Sequence, residues 1–413
     1  MSNKNKELLK RALNEIREVS NKLGVHPQIL SRADFLSNSD LSDWDLRKLG
    51  GLAALKKRFP MTEKALKEIQ EQKELVSYIS KLEKEVANLS IFEEKIIKEI
   101  SKNKPINIKQ YKPLKKEKIF RELNLVLSDL HIGSDIDGES TGQLDFGKVE
   151  ESRRLARIVK ETIEYKLEHR DSTKLNVLLL GDIIQNQLHD LRDGAPLAEQ
   201  AARAINLLSQ AIAQLSANFR EISVYCNTGN HGRNTGRHHE RAVNQKWDSI
   251  ETIIYYAIKQ SLKNLKNVKV IIPKTPYVTY EVFGKKVFAT HGDTVLKPGY
   301  PGSSIKTGSL ENQINRLNAS LKDHEEYHVL IVGHVHVASV THLSNGAVML
   351  TNGALVPVDE YAVSIGMTEC TNGQYLFESV KDYPVGDCRL IKVDVKDDNN
   401  PKLDEIIKPF SSF

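Results

Sequence analysis

Hydrophobic and polar positions follow two different patterns along the chain. From Leu123 onward short apolar runs recur: "LNLVLSD", "LNVLLLGD", "ISVYCNTGN", "VKVIIP", "VTYEVFGKKVFATHGD", "YHVLIVGHVH" and "AVMLTNGALV". Runs of this length, bounded by Gly, Asn and Asp, read as strands. Helical stretches lie between the first few, at 148–168 and 196–218. In the second, Leu197, Ala201, Ile205, Leu208, Ile212 and Leu215 form an apolar stripe at helical spacing. Strand–helix alternation followed by closely spaced strands predicts an α/β fold, a two-layer mixed sandwich flanked by helices. "VFGKKV" reads as a hairpin turn.

Before Leu123 the pattern is helical. Leu9, Ala12, Ile16, Val19 and Leu23 share one face of a helix that Gly24 stops. Shorter pieces follow up to Phe59, with Ser42 as an N-cap. Residues 1–60 thus read as a small all-α region, with the pattern of a helix-turn-helix-like nucleic-acid module or of any small bundle. Residues 61–102 lack Gly and Pro, and Leu75, Ile79, Leu82, Val86 and Leu89 step by four and three. That spacing predicts a long helix, either a homodimeric coiled coil or one amphipathic helix. Residues 103–120 are Lys- and Pro-rich and read as a basic linker. Residues 121–356 then form the main α/β domain, and 357–413 a strand-rich extension that caps the sandwich or forms an edge.

Charge sharpens this division. Residues 1–120 hold 26 Lys and Arg against 17 Asp and Glu, whereas the remainder holds 33 against 37. The whole basic excess is N-terminal, which points to a polyanionic partner such as nucleic acid. The three cysteines, Cys226, Cys370 and Cys388, are odd in number and far apart. They argue against a disulfide framework and a cysteine zinc site, and with the polar N-terminus they predict a cytoplasmic setting. No apolar run is long enough to span a membrane.

Five strand-like runs end in groups that can bind a metal. Asp129 and His131 follow the first, Asp182 the second, Asn230 and His231 the third, His291 and Asp293 another, and His334 and His336 the last. A lone strand-end Asp is ordinarily a turn or cap residue, but five such ends in one chain exceed coincidence. A spacing of two would put Asp129 and His131, and likewise His334 and His336, on one face of an extended chain. With His231 and Asp293 set aside, the set is four imidazoles, two carboxylates and one amide oxygen. Such donors suit Mn, Fe or Zn rather than Cu(I), and outnumber one ion's needs.

The ordered series D-x-H, GD, GNH, H-GD and GHxH, spread over about residues 123–356, resembles the calcineurin-like metallophosphoesterase superfamily. The resemblance implies a dinuclear centre holding two divalent ions, Mn2+ in the first instance. By motif, Asp129, His131 and His336 would hold one ion, and Asp182 would bridge. Asn230, His291 and His334 would complete the other, and His231 would protonate the leaving group.

Two motifs depart from the protein Ser/Thr phosphatases of that superfamily. "GDIIQNQ" lacks their Asp-Arg-Gly, and "GNHGR" has Gly232 where an acid usually follows the histidine. Arg233 could grip a phosphate oxygen, and Arg192, in a charged loop after the Asp182 strand, is a weaker substrate contact. These features, with the basic N-terminus, predict a phosphodiesterase or nuclease acting on DNA or RNA, suited to mobile-element or phage DNA metabolism. The alternatives are a phosphodiesterase or phosphatase of a small nucleotide, cyclic or not, and a non-catalytic nucleic-acid-binding scaffold.

Overall fold

The computed structural model describes residues 3–24, 27, 30–59, 106, 108, 111, 121–169, 171–187, 194–234, 245–299, 307–320, 326–364, 366, 370–394 and 403–411. The helix anticipated over 61–102, with its coiled-coil dimer, lies outside the described residues. So does most of the 103–120 linker. The chain divides into two units, Met1–Glu93 and Glu94–Phe413.

The described residues of the first unit are helical: Asn3–Leu23, Arg32–Asn38, Asp43–Lys48 and Leu52–Lys56. Ala12, Ile16 and Val19, on the stripe read from sequence, are buried together with Leu30, Phe35, Leu46 and Leu55. Leu23, at the end of the stripe, is exposed. Gly24 ends the first helix at φ +67°, left-handed backbone that costs glycine nothing. Ser42 caps its helix in a capping box with Asp45, each satisfying a backbone N–H of the other.

The second unit holds two mixed sheets. The six-stranded one runs β11-β10-β1-β2-β3-β4 and the five-stranded one β5-β6-β7-β9-β8. The six-stranded sheet comprises β1 (Arg121–Leu127), β2 (Ser172–Leu180), β3 (Glu221–Asn227), β4 (Val268–Ile271), β10 (Gly373–Val380) and β11 (Cys388–Lys392). The five-stranded sheet comprises β5 (Val278–Val282), β6 (Lys285–Thr290), β7 (Val329–Val332), β8 (Ser339–His342) and β9 (Val348–Thr351). β1, β2 and β3 pair in parallel, as do β6 and β7, so the C-terminal ends of each set share one edge of their sheet. β10 pairs antiparallel with β1, so the segment after 356 enters the middle of a sheet and only its last strand, β11, forms an edge.

The period-two pattern explains how the sheets pack. Val126, Leu178 and Leu180 share one apolar cluster with Val287, Ala289, Val329, Ile331 and Leu350 of the other sheet. The alternate residues Phe288, Leu330, Val332 and Met349 pack instead with Leu310 and Ile314 of the helix Thr307–Ala319. Both faces of β6 and β7 are thus buried, which is why those runs are continuously apolar rather than alternating. A polar pin crosses the shared core. The Tyr280 hydroxyl of β5 donates to Asn124 Oδ1 of β1 at 2.8 Å, and Asn124 donates to Ser379 Oγ at 3.0 Å. The predicted hairpin joins β5 to β6 through Phe283 at φ +48° and Gly284 at +76°, as a two-residue turn of the primed type requires.

Leu178 is fully buried between the two sheets. Leu178→Ala should therefore cost about 2–5 kcal/mol of stability. Urea unfolding followed by circular dichroism measures it, and a loss below about 1 kcal/mol would contradict a core shared by the sheets.

Candidate metal centre

Each group singled out in the sequence lies just beyond the C-terminal end of a strand. Asp129 and His131 follow β1, Asp182 follows β2, Asn230 and His231 follow β3, His291 follows β6, and His334 and His336 follow β7. Parallel pairing brings the ends together, as in open α/β sheets generally. Three groups result, in each of which the donor atoms lie within 4.8 Å of one another. They are Asp129, His131 and His336; His131, Asp182 and His231; and Asp182, His291 and His334. Asp182 belongs to two of them. Asn230 joins the third, with its Oδ1 3.0 Å from His291 Nε2.

The backbone reaches this arrangement differently from the sequence expectation. Asp129, His131, Asp182, His334 and His336 have φ of +54°, +46°, +48°, +69° and +59°. None is extended, so the spacing of two does not act through strand alternation. Each of these side chains is turned by a residue in the left-handed region, which costs a non-glycine residue on the order of 1 kcal/mol or more. Surrounding bonds hold the loops in place. Asp129 and His131 donate their N–H groups to the carbonyls of Gly181 and Asp182 at 3.1 and 3.0 Å, and both Asp129 carboxylate oxygens accept from the His334 N–H.

Gly181 and Gly229 let two of these loops touch. A Cβ at Gly181 would fall 2.2 Å from the Gly229 nitrogen, and one at Gly229 would fall 2.0 Å from Asp182 Oδ1. No side chain fits at either position. The glycines of the GD and GNH motifs are therefore a packing requirement of the site.

The electrostatics call for cations. His291 Nδ1 lies 2.8 Å from the Leu180 carbonyl, so Nδ1 carries a proton and donates it. Its Nε2 then faces two oxygens, Asp182 Oδ2 and Asn230 Oδ1, each at 3.0 Å. A neutral imidazole would aim a lone pair at both, so a positive charge belongs there, either a proton or a metal ion. Against the effect of burial, the Asp182 carboxylate raises the His291 pKa to about 9. The second group shows the same need. His131 Nε2 and His336 Nε2 face each other at 3.3 Å, with Asp129 Oδ1 3.4 Å from the latter. Burial, then the charges of His231 and His336, pushes His131 down to about 3, and burial with His291 pushes His334 down to about 4. Both rings are neutral at pH 7, the form that ligates metal. Buried imidazoles and carboxylates whose donor atoms converge without enough protons to go round fit divalent ions.

Some groups in the site escaped the sequence reading. Gln185 Oε1 accepts from His131 Nδ1 at 2.6 Å, while the Gln185 carbonyl accepts from His231 Nδ1, also at 2.6 Å. One residue thus fixes the tautomer of both rings, leaving each Nε2 to face the site. Asn186 donates to the carbonyls of His231 and Arg233 at 2.5 and 3.0 Å. Both sit in "GDIIQNQ", noted in the sequence only for what it lacks. Glu251, fully buried near the start of helix Ile250–Ser261, accepts from the N–H groups of Ile183 and Gly229 at 2.6 and 2.7 Å. Burial and the charge of Asp182 raise its pKa to about 7. Nothing in its sequence neighbourhood marks it, because its partners are far away in the chain.

The remaining candidates divide. Asp293 is ion-paired with the buried Lys246. Arg233 is half-buried, and its Nε has no partner among the described residues. Arg192 lies outside them.

No family model and no curated protein matches the chain. Among solved structures it is similar to a dimetal phosphatase from Danio rerio, at 12% identity over 67% of this chain and 99% of that one, with a TM-score of 0.33. A phosphopantetheinyl hydrolase from Mycobacterium tuberculosis aligns at 10% identity over 57% and 91% of the two chains, with a TM-score of 0.24. Vps29 from Chaetomium thermophilum does so at 11% over 65% and 96%, also with a TM-score of 0.24. Likeness at this level fixes neither activity nor substrate.

The protonation pattern predicts how the metal-free protein responds to pH. His291 and Glu251 both have pKa values raised in the folded state. A raised group contributes stability that is complete below its unfolded pKa and is lost as pH rises through the folded value. His131 and His334, lowered to about 3 and about 4, add nothing further above their ordinary value of 6.5. With EDTA, the melting temperature should fall between pH 6.5 and about 9, and with Mn2+ the fall should be absent. Thermal melts across that range test this, and a flat profile in EDTA would contradict a positively charged His291.

Proposed function

We propose that the chain is a dinuclear-metal-dependent phosphodiesterase that hydrolyses DNA or RNA, with Mn2+ as its metal. The observation that carries the reading is His291 Nε2 held between two oxygens while Nδ1 already donates. By the same reading Asp129, His131 and His336 would hold one ion, and Asn230, His291 and His334 the other. Asp182 and His131 each belong to two of the three donor groups, and of the two Asp182, with a second carboxylate oxygen, would serve both ions. When bound, such a pair supplies a hydroxide nucleophile near neutral pH and offsets charge on the phosphoryl oxygens.

The protein's own groups supply the rest. Asp182 has two oxygens, one beside His291 Nε2 and one accepting the His231 N–H at 2.7 Å, so the second and third motifs are tied together. His231 keeps Nδ1–H on the Gln185 carbonyl, which leaves Nε2 to deliver a proton to the departing oxygen. A carbonyl in place of a carboxylate orients the ring without adding a negative charge. Arg233, whose Nε has no partner among the described residues, would hold a non-bridging phosphate oxygen through its guanidinium.

Charge favours a polymeric substrate. The excess of 26 basic over 17 acidic side chains in residues 1–120 suits a polyphosphate backbone. The first unit also presents a groove of about 510 Å³ lined by Arg32, Arg47 and Lys56, in which Asp43 pairs with both arginines. Trp44, 62% exposed with the Lys48 amine 3.2 Å above its ring, offers a stacking face for a base.

The test is a Mn2+-supplemented assay of the full chain and of His231→Ala. Substrates are single- and double-stranded DNA, RNA, a cyclic dinucleotide and a phosphomonoester. Hydrolysis of a polynucleotide, reduced about 10²–10⁴-fold in His231→Ala, is expected for a lost general acid. Turnover confined to the cyclic dinucleotide or the monoester would remove the polymer, and no turnover with metal bound would remove the enzyme.

A further inference from the structure

The acid missing after the histidine of "GNHGR" has a counterpart in space. A Cβ built on Gly232 would fall 2.5 Å from Glu251 Cγ, 2.7 Å from Glu251 Cδ and 2.6 Å from Ser249 Oγ. The volume that a side chain at 232 would enter is therefore filled by the side chain of Glu251, which arrives from the first turn of another element. Glu251 reaches this place because Ser249 caps its helix and, through its hydroxyl, donates to the Gly232 carbonyl at 2.8 Å. The Ile250 N–H also donates to that carbonyl at 2.8 Å, so the helix start is bonded to residue 232 itself.

The carboxylate is spent on two backbone groups. Oε1 accepts from Ile183 and Oε2 from Gly229, and the side chain is fully buried. Ile183 adjoins Asp182, and Gly229 adjoins Asn230. We propose that Glu251 is a positioning residue that sets the separation of Asp182 and Asn230, and so the affinity of the metal site they share with His291 and His334. The inference rests on the dinuclear reading given above.

Two further points support it. The Ile183 and Gly229 N–H groups are backbone donors in loops, where no strand ladder would satisfy them, and the two carboxylate oxygens of Glu251 take one each. The other donor group has its own supports. Asp129 is bonded to the His334 N–H and His131 to Gln185, and neither bond involves Glu251. Loss of the brace should therefore be felt unequally by the two ions.

Glu251→Gln keeps the shape but turns an N–H donor toward one of the two N–H groups. Gly232→Ala perturbs the brace from the other side, by pushing a methyl into the Glu251 side chain. Calorimetric Mn2+ titration of the metal-free full-length proteins reads both. Wild type should bind two ions. In each variant one ion should weaken about tenfold or more, the range for loss of a residue that supports a ligand, while the other changes less than about threefold. Near-ultraviolet circular dichroism in EDTA should match wild type for at least one variant. Two ions in wild type, with both affinities unchanged or both lowered alike in the variants, would overturn the brace and leave the dinuclear reading standing. Fewer than two ions in wild type would overturn that reading, and the brace with it.

Discussion

Everything at the candidate centre depends on the contact between two loop backbones, at Gly181 and Gly229. The loops after β2 and β3 touch so closely that neither glycine could carry a methyl group. This contact lets Asp182 and Asn230 reach the same imidazole, at 3.0 Å each. Parallel strands alone would not achieve it, since neighbouring strands lie about 4.8 Å apart and their loops usually diverge. The sheet sets the approximate positions and the glycines set the final ångström.

A contact this tight needs reinforcement, and the structure supplies it in polar groups. Glu251 takes one N–H from each loop, Asn186 reaches the carbonyls of His231 and Arg233, and Gln185 serves two rings. Asn352 and Gln374 do the same beneath Asp129, where Gln374 accepts the Ser128 N–H and Asn352 donates to the Ser128 hydroxyl. Most of these groups are buried and each has a partner, the condition under which buried polarity rigidifies rather than destabilises. Left-handed backbone at five candidate ligand positions is tolerated because so many bonds oppose its relaxation.

Much of this was legible in the chain, and the parts that were not share a cause. The strand-end groups could be read because each sits beside an apolar run and a glycine, within a few residues of its own context. The stripe from Ala201 to Leu215 is buried as its spacing implied, since helical periodicity is local. What the sequence hid acts across distance. Glu251 works on residues 183 and 229 from a helix with no motif of its own, and β10 enters beside β1 from about 250 residues further along. The turn at Asp129 and His131 was misjudged because a spacing of two suggests a strand, whereas left-handed residues leave no periodic trace.

The left-handed backbone at these candidate ligands limits which substitutions such a centre can explore. Among non-glycine residues, Asp, Asn and His are the types most at ease at positive φ. These are also oxygen and imidazole donors suited to hard and borderline cations. At residues 129, 131, 182, 334 and 336, conformational tolerance and coordination chemistry therefore select the same short alphabet. Exchanges within that alphabet would keep the loop and change the ion's preference. A β-branched aliphatic replacement would fail twice over, once at the backbone and once by removing a donor atom. Such loops can retune their chemistry over generations without being rebuilt.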